Sequence, residues 1–500
     1  MHVRGLAANT PIIVGVGFEQ QRRDDPAQCS EAYELMVAAV RTAARDAGSE
    51  SLLPLIESIS VPQGLWHYRN AGKLVADAIG CPSAKSIVSD LGVLQLTLLS
   101  DLCRDIAAGN RQIGVITGGE AKYRDLRGTI TQQPVAETHQ DERTLPPDVR
   151  LTSDDPFCSD LESKRGFSAA VDCFAVIESV LRHHEGLGVE EHRDKLANLY
   201  SSFSEVAAAN PHAWRREPFS AEAIRNPTAK NAMQAFPYTK LHCSNWNVNQ
   251  AVAIIVCSAA KAEQLGLARR GWIYPLSAAE STHVVVLAQQ RRLHSHPGTI
   301  LTGRRALELA DVSRDEIAAA ELYSCFPAAV RSFAHDLELD PGCPLTVTGG
   351  MAFAGGPFNH ASLAGIARMV EVLRSVPAQG SSRRRVGLVT NLSGIFGKQG
   401  CAVLSNVPSA LGYRYEDLTA AVAKQDQPVR VDAGYAGPAS IVGYTVVYVA
   451  GKISHGLAIC DTPQGARTVA RSEDKSLLAT MTREEFCGRT VQVRSDGNFA

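Results

Sequence analysis

The chain has 500 residues, 45% hydrophobic and 20% charged, with a formal net charge of -2. That is the balance of an ordinary globular protein of about two to four domains, with volume for sizeable cores. It gives no electrostatic reason to expect nucleic acid or an acidic membrane surface as partner.

No apolar run reaches the length of a bilayer span or resembles a secretory leader, so no membrane insertion is expected. The twelve cysteines are scattered, with no Cys-x-x-Cys and no Cys/His cluster at zinc spacing. No metal site is expected. Cys173, Cys257 and Cys401 lie in apolar runs as small hydrophobes, which suits a reducing cytoplasm.

In chain order, residues 12–16 read as a buried strand. Residues 30–47 read as a helix capped by Ser30, striped by Leu35, Met36, Ala39, Val40 and Ala43, and stopped by Gly48. Strands follow at 56–61, 86–88 and 113–117, the last running into Gly118, Gly119 and Glu120, with helices at 71–79 and 91–108 between them. This alternation predicts a doubly wound, mostly parallel sheet with ligands at the carboxyl ends of its strands.

Periodicity weakens from 121 to about 238, where helices are predicted at 167–183 and 194–209. The stretch is too long for a loop and reads as an inserted lid. The pair His183 and His184 suits a helix C-terminus. Asn245, Trp246, Asn247, Asn249 and Gln250 then cluster ahead of an apolar run to Leu265, read as a helix. The amides fit a polar pocket or plain capping chemistry equally well.

The second half repeats the first in outline. A helix over 299–310 precedes an apolar run at 317–322, then Tyr323, Ser324, Cys325 and Phe326, with a helix through Phe333. Gly349 to His360 holds four glycines and a proline, with Asn359 as predicted N-cap of a helix carrying Leu363, Ile366, Val370 and Leu373. Such a loop can aim backbone N–H groups at a phosphate or an oxyanion, although an isolated glycine loop is more often a tight turn.

A basic run, Arg383 to Arg385, reads as a solvated loop before a strand at 386–390. That strand ends in Asn391, Leu392, Ser393 and Gly394 and faces an antiparallel partner at 401–404. From Gly412 onward, strand-like runs at 429–431, 441–450, 458–460, 477–479 and 490–493 predict a small all-β module.

With these stretches in this order, residues 10–406 resemble the thiolase superfamily, nearest its sterol-carrier-type and thiolase-like branches. The likeness rests on five stretches: the first strand, Gly118-Gly119-Glu120, the loop from Gly349 to Pro357, Tyr323-Ser324-Cys325-Phe326 and the hairpin from Ser393 to Gly400. The resemblance implies an α/β thiolase fold, with two duplicated βαβαβαββ halves in five αβαβα layers. The implied division is 1–120 and 241–285 for the first half, 121–240 for the lid, 286–408 for the second half, and 411–500 for an OB-like β-barrel.

The resemblance further implies a CoA-thioester site under the lid, with coenzyme A or acyl-CoA as ligand and no tightly bound cofactor. Tyr323, Ser324, Phe326, Gly355, Gly356, Asn359, His360, Asn391 and Ser393 would line it, joined by Asn245 and Trp246 from the lid side. Thiolases generally dimerise through the edge of the first-half sheet, and either a monomer or a homodimer is expected here.

The departures bear on chemistry. The family's nucleophilic cysteine falls near Ser89 to Val93, where this chain has none, and Cys103 lies well inside the following helix. Gly356 stands for the Gly-His-Pro histidine, Leu392 and Ser393 for the second cysteine element, and Tyr323 for an Asn or His. Claisen condensation needs a thiolate, a base and two oxyanion sites, and a serine without a base is a weak nucleophile.

The expectation is therefore CoA or acyl-CoA binding within acyl-CoA and lipid metabolism, without normal thiolase turnover. One alternative is an acyltransferase or thioester hydrolase with relocated groups, Cys325 and His360, although packing is the plainer reading of Cys325. Another is a non-catalytic scaffold, its terminal module a fused counterpart of a small β-barrel partner that helps carry CoA.

Overall fold

The computed structural model describes residues 6–375 and 384–500. Arg383, the first residue of the basic run, lies outside the described residues.

The first half starts with strands β1 (Pro11–Gln20), β2 (Ser58–Pro62), β3 (Lys85–Ser89) and β4 (Ile113–Ala121). Helices α1 (Ala32–Asp46), α2 (Ala71–Ile79) and α3 (Gln95–Ala107) alternate with them. After α4 (Lys122–Thr131) and a short β5 (Val149–Leu151) comes the segment expected as a lid. It holds α5 (Asp160–Arg165), α6 (Ala170–His184), α7 (Val189–Ala209), α8 (Ala221–Arg225), β6 (Met233–Ala235) and β7 (Tyr238–Thr239). β8 (Asn249–Ser258) then returns antiparallel between β1 and β4, giving the order β1-β8-β4-β2-β3-β5.

The second half follows α9 (Ala259–Gln264). It comprises β9 (Tyr274–Ser281), α10 (Pro297–Ala310), β10 (Ile317–Glu321), α11 (Pro327–Asp336), α12 (Ala361–Arg374), β11 (Val386–Ser393) and β12 (Lys398–Ser405). β12 lies antiparallel between β9 and β11, as β8 does in the first half. Backbone bonds from Ala320 and Leu322 to Pro344 and Leu345 place residues 344–345 beside β10, in the place that β3 takes beside β2.

A buried core joins Leu96, Leu99 and Leu102 of α3 with Leu363, Ile366 and Val370 of α12 and with both sheets. These two helices form the middle layer, and α1 and α10 lie on the outer side of their own sheets, which gives the five αβαβα layers that the resemblance implies.

The third sheet belongs to the C-terminal segment. After β13 (Arg414–Asp417), which pairs with β9, come α13 (Thr419–Gln425), β14 (Gly437–Val449), β15 (Lys452–Asp461), β16 (Arg467–Ser472), α14 (Lys475–Met481) and β17 (Thr490–Val493). β17 pairs with β14, and bridges from Asn498 to Arg471 and from Phe499 to Val493 close the strands into a small barrel. β14 also takes in β6 of the lid, so the sheet runs β16-β15-β14-β6-β7.

Several expectations are corrected. The run after Asn249 is a strand, β8, and not a helix to Leu265. It is buried on both faces and rich in Val252, Ile254, Ile255 and Val256, where periodicity cannot separate strand from helix. Glu31, not Ser30, begins α1 through a reciprocal capping box with Glu34. Residues 91–94 form a turn before α3.

The stretch 477–479 is helical because Asp474 caps α14 by accepting from the Ser476 and Leu477 N–H groups. β9 pairs into the second sheet, so 241–285 does not return wholly to the first half. The terminal module does not begin cleanly at 411, since β13 completes the second sheet.

Candidate functional site

Three things meet at the carboxyl ends of the second-half strands: the turn before α3, the glycine loop before α12, and the β11–β12 turn. Together they wall a cavity of about 360 Å³. Gly92, Val93 and Gln95 contribute from the first, Phe358 and Asn359 from the second, and Leu392, Ser393 and Gly394 from the third. Tyr323, Cys325 and Phe326 form its floor, and Phe174 of the lid covers it, stacked on Phe326 at 5.0 Å.

A wider groove of about 1060 Å³ runs from this cavity under the lid and shares Cys325, Phe326 and Phe358 with it. Asn245, Trp246 and Gly356 line the groove together with Arg215, Lys230 and Lys240, and no carboxylate faces it. Trp246 is 49% exposed, a large aromatic left open at the mouth.

The glycine loop is built for close packing. Met351 N–H donates to Ser324 Oγ, Gly349 and Gly350 N–H to Thr346 Oγ1, and Gly356 N–H to the Asn245 carbonyl. Those donors are therefore satisfied within the protein, and the loop offers few of the free N–H groups that its composition promised. A Cβ on Gly356 would lie 1.8 Å from Ser244 Oγ, and one on Gly349 2.4 Å from the Ala207 backbone nitrogen. The glycines thus let the loop touch the lid and the 244–245 strand of chain.

Buried Glu321 anchors the turn just before this loop. It accepts from the Val347 and Thr348 N–H groups and from both threonine hydroxyls.

Asn391 also acts within the fold. Its Oδ1 accepts from Leu96 N–H of α3 at 3.1 Å, and its Nδ2 donates to Ser362 Oγ of α12 at 2.8 Å. Ser362 N–H in turn donates to Gln95 Oε1. The two central helices are thereby tied together at their N-terminal ends. Asn359 donates to the Gln63 carbonyl, and His360 takes the N-cap position predicted for Asn359.

Cys325 and His360 are not brought together. No hydrogen bond joins them. Cys325 faces the cavity and the groove, whereas His360 lines a separate inner cavity behind Tyr323 with Phe18, Gln250 and Thr390. Burial pulls the His360 imidazole down to about 3 and pushes the Cys325 thiol up, so near neutrality they stand as neutral imidazole and thiol. His360 fits because Gly118 has no side chain: a Cβ there would lie 2.4 Å from His360 Cβ. Ser393 lies on the cavity wall with no hydrogen bond to a base. The position facing the start of α3 carries no cysteine.

Lys398 was not singled out by the sequence. It is the first residue of β12, 5% exposed, and lines the cavity. A lone lysine in a glycine turn gives no sequence signal. Among the described residues no group of three or more His, Cys, Asp or Glu side chains is placed to hold a metal ion, and no helix is long and apolar enough to cross a membrane.

Comparison with solved structures agrees with this architecture. A monomeric SCP2-thiolase like protein type 1 from Mycobacterium smegmatis is 25% identical and superposes with a TM-score of 0.80, over 99% of this chain and 100% of that one. The dimeric peroxisomal thiolase of Saccharomyces cerevisiae is 15% identical, with a TM-score of 0.53 over 80% of this chain and 98% of that one. The Acat5 thiolase from Ascaris suum, solved in complex with coenzyme A, is 16% identical, with a TM-score of 0.53 over 80% of this chain and 100% of that one. No curated protein sequence matches.

The chain has the thiolase fold, and its architecture is similar to that of both the thiolase-like protein and the thiolases. Residues 417–498 match the family model described as the thiolase-like protein type 1 additional C-terminal domain. Strands β14 to β17 of the terminal barrel lie within the matched residues.

Proposed function

We propose that the protein binds coenzyme A thioesters, in the setting of acyl-CoA metabolism, and does not turn them over as a thiolase. The observation that carries this is a cationic, acid-free groove that opens into a mostly apolar cavity without a thiolate at the start of α3. Arg215, Lys230 and Lys240 suit the phosphates of the nucleotide, and open Trp246 suits stacking with its base. The acyl end would then lie among Phe174, Tyr323, Phe326 and Leu392.

Calorimetric titration with coenzyme A and acetyl-CoA tests the reading. Reversing Lys230 and Lys240 to Glu should weaken binding about tenfold, from roughly 0.5–1 kcal/mol lost per exposed charge contact. A 3-ketoacyl-CoA mixed with coenzyme A should show no thiolysis. Absence of binding, or turnover at thiolase rates, would overturn the proposal.

A further inference from the structure

The cavity wall is mostly apolar, and it carries charge at one corner. Val284, Val285, Val286, Leu392, Ile395 and Phe174 surround it, and its charged residues are Lys398 and Asp155. Lys398 Nζ has three donors. They go to the Gly92 carbonyl at 3.0 Å, Ser153 Oγ at 2.6 Å and Asp155 Oδ2 at 2.6 Å. The ammonium is buried, while the Asp155 side chain is 45% exposed on a loop that also contributes Ser153, Pro156 and Phe157 to the wall. A cation in an apolar wall needs a counter-charge. Here the counter-charge comes from the exposed, displaceable side. The Lys398 hydrogen bond holds the Asp155 carboxyl below its usual range.

From this we infer that Lys398 is a specificity residue for a ligand carboxylate, and that Asp155 occupies its place until such a ligand enters. The favoured ligand class is the thioester of a short dicarboxylic acid. The inference rests on the reading of this cavity as the acyl site. A short acyl chain is favoured because the cavity is only about 360 Å³ and Gly92, whose carbonyl shares the ammonium, lies on its wall. Exchange of one carboxylate for another leaves the ammonium paired and the charge balance unchanged, while a neutral acyl group gains nothing from Lys398.

Two ligand series separate this inference from the reading beneath it. Malonyl-, succinyl- and butyryl-CoA are titrated calorimetrically, and the same acyl groups are titrated as N-acetylcysteamine thioesters, which lack the nucleotide. The dicarboxylic thioesters should bind about three- to tenfold more tightly than butyryl in both series, the scale of a buried charge-assisted contact less the half-exposed Asp155 pair that it replaces. Lys398→Met should bring that ratio close to one. Asp155→Asn, on the exposed loop, should raise it.

A ratio near one in the wild-type protein, or one unchanged by Lys398→Met in a chain of native circular dichroism, overturns the inference even where CoA binds. A dicarboxylic preference among the N-acetylcysteamine thioesters without any CoA affinity upholds Lys398 and overturns the CoA groove. No binding in either series overturns both.

Discussion

Replacing Glu178 with Gln should loosen the lid from the second half. Glu178 lies on α6 and is fully buried. It accepts from Arg331 Nη1 of α11 and from the Tyr238 hydroxyl, and it lies 3.1 Å from His192 Nε2 of α7. Burial alone would raise its pKa, but the Arg331 charge and the hydrogen bonds outweigh it and hold the carboxyl at about 2. Against an ordinary glutamate near 4.3, a shift of roughly two units is about 3 kcal/mol.

Arg331 keeps a second partner, Glu185, at 2.7 Å, so the variant does not leave the guanidinium wholly unpaired. The expected loss at neutral pH is therefore about 3 kcal/mol, the low end of the range for a broken buried pair. Urea unfolding followed by circular dichroism should show the first transition about 1 M lower, for a slope near 3 kcal/mol/M.

The sign of the pH dependence follows from the depressed value. The contribution is full above about pH 5 and is lost as pH falls through the folded pKa, with about half remaining at pH 3. A Glu178→Gln variant within about 0.5 kcal/mol of wild type, or a difference that does not shrink at pH 3, would refute the reasoning.

Asn391→Ala removes both ties between α3 and α12 and should cost about 1–3 kcal/mol, with faster amide exchange at Leu96 as the local readout. Gly356→Ala should weaken coenzyme A binding by pushing the loop from Ser244, at about 1–3 kcal/mol of strain, and Ser244→Gly in the same chain should restore it. β5 pairs along β3 and so covers that edge of the first-half sheet; light scattering should give the 53.6 kDa of one chain. Removing 411–500 should give an insoluble product, because Arg182 and Val176 of the lid are buried against β14 and Glu485.

The elements that were legible had one face or a clear boundary. The bounds of α2 follow directly from the spacing of Val75, Ala76 and Ile79 and from Gly80 at a left-handed φ of 86°. β8 was misread because both its faces are buried, and β5 went unseen because three residues with Arg150 in the middle carry no pattern.

The glycine loop was legible as a loop but not as to purpose. Its composition could not tell free N–H groups from N–H groups held by Thr346, Ser324 and Asn245. The same limit applies to Asn391, whose partners Leu96 and Ser362 lie 295 and 29 residues away in sequence. Lys398 acquires meaning only beside Gly92 and Asp155, a proximity that no local pattern encodes.

The lid shares its last sheet with the end of the chain. Thr445 Oγ1 of β14 donates to the Phe236 carbonyl between β6 and β7, across 209 residues. A ribosome adding roughly 5–20 residues per second needs about 10–40 s to cover that distance. For that interval the newly made lid carries an unpaired strand edge and an uncovered face of α6. Both halves of the fold can assemble around the site while its cover is still waiting for the final segment to be synthesised.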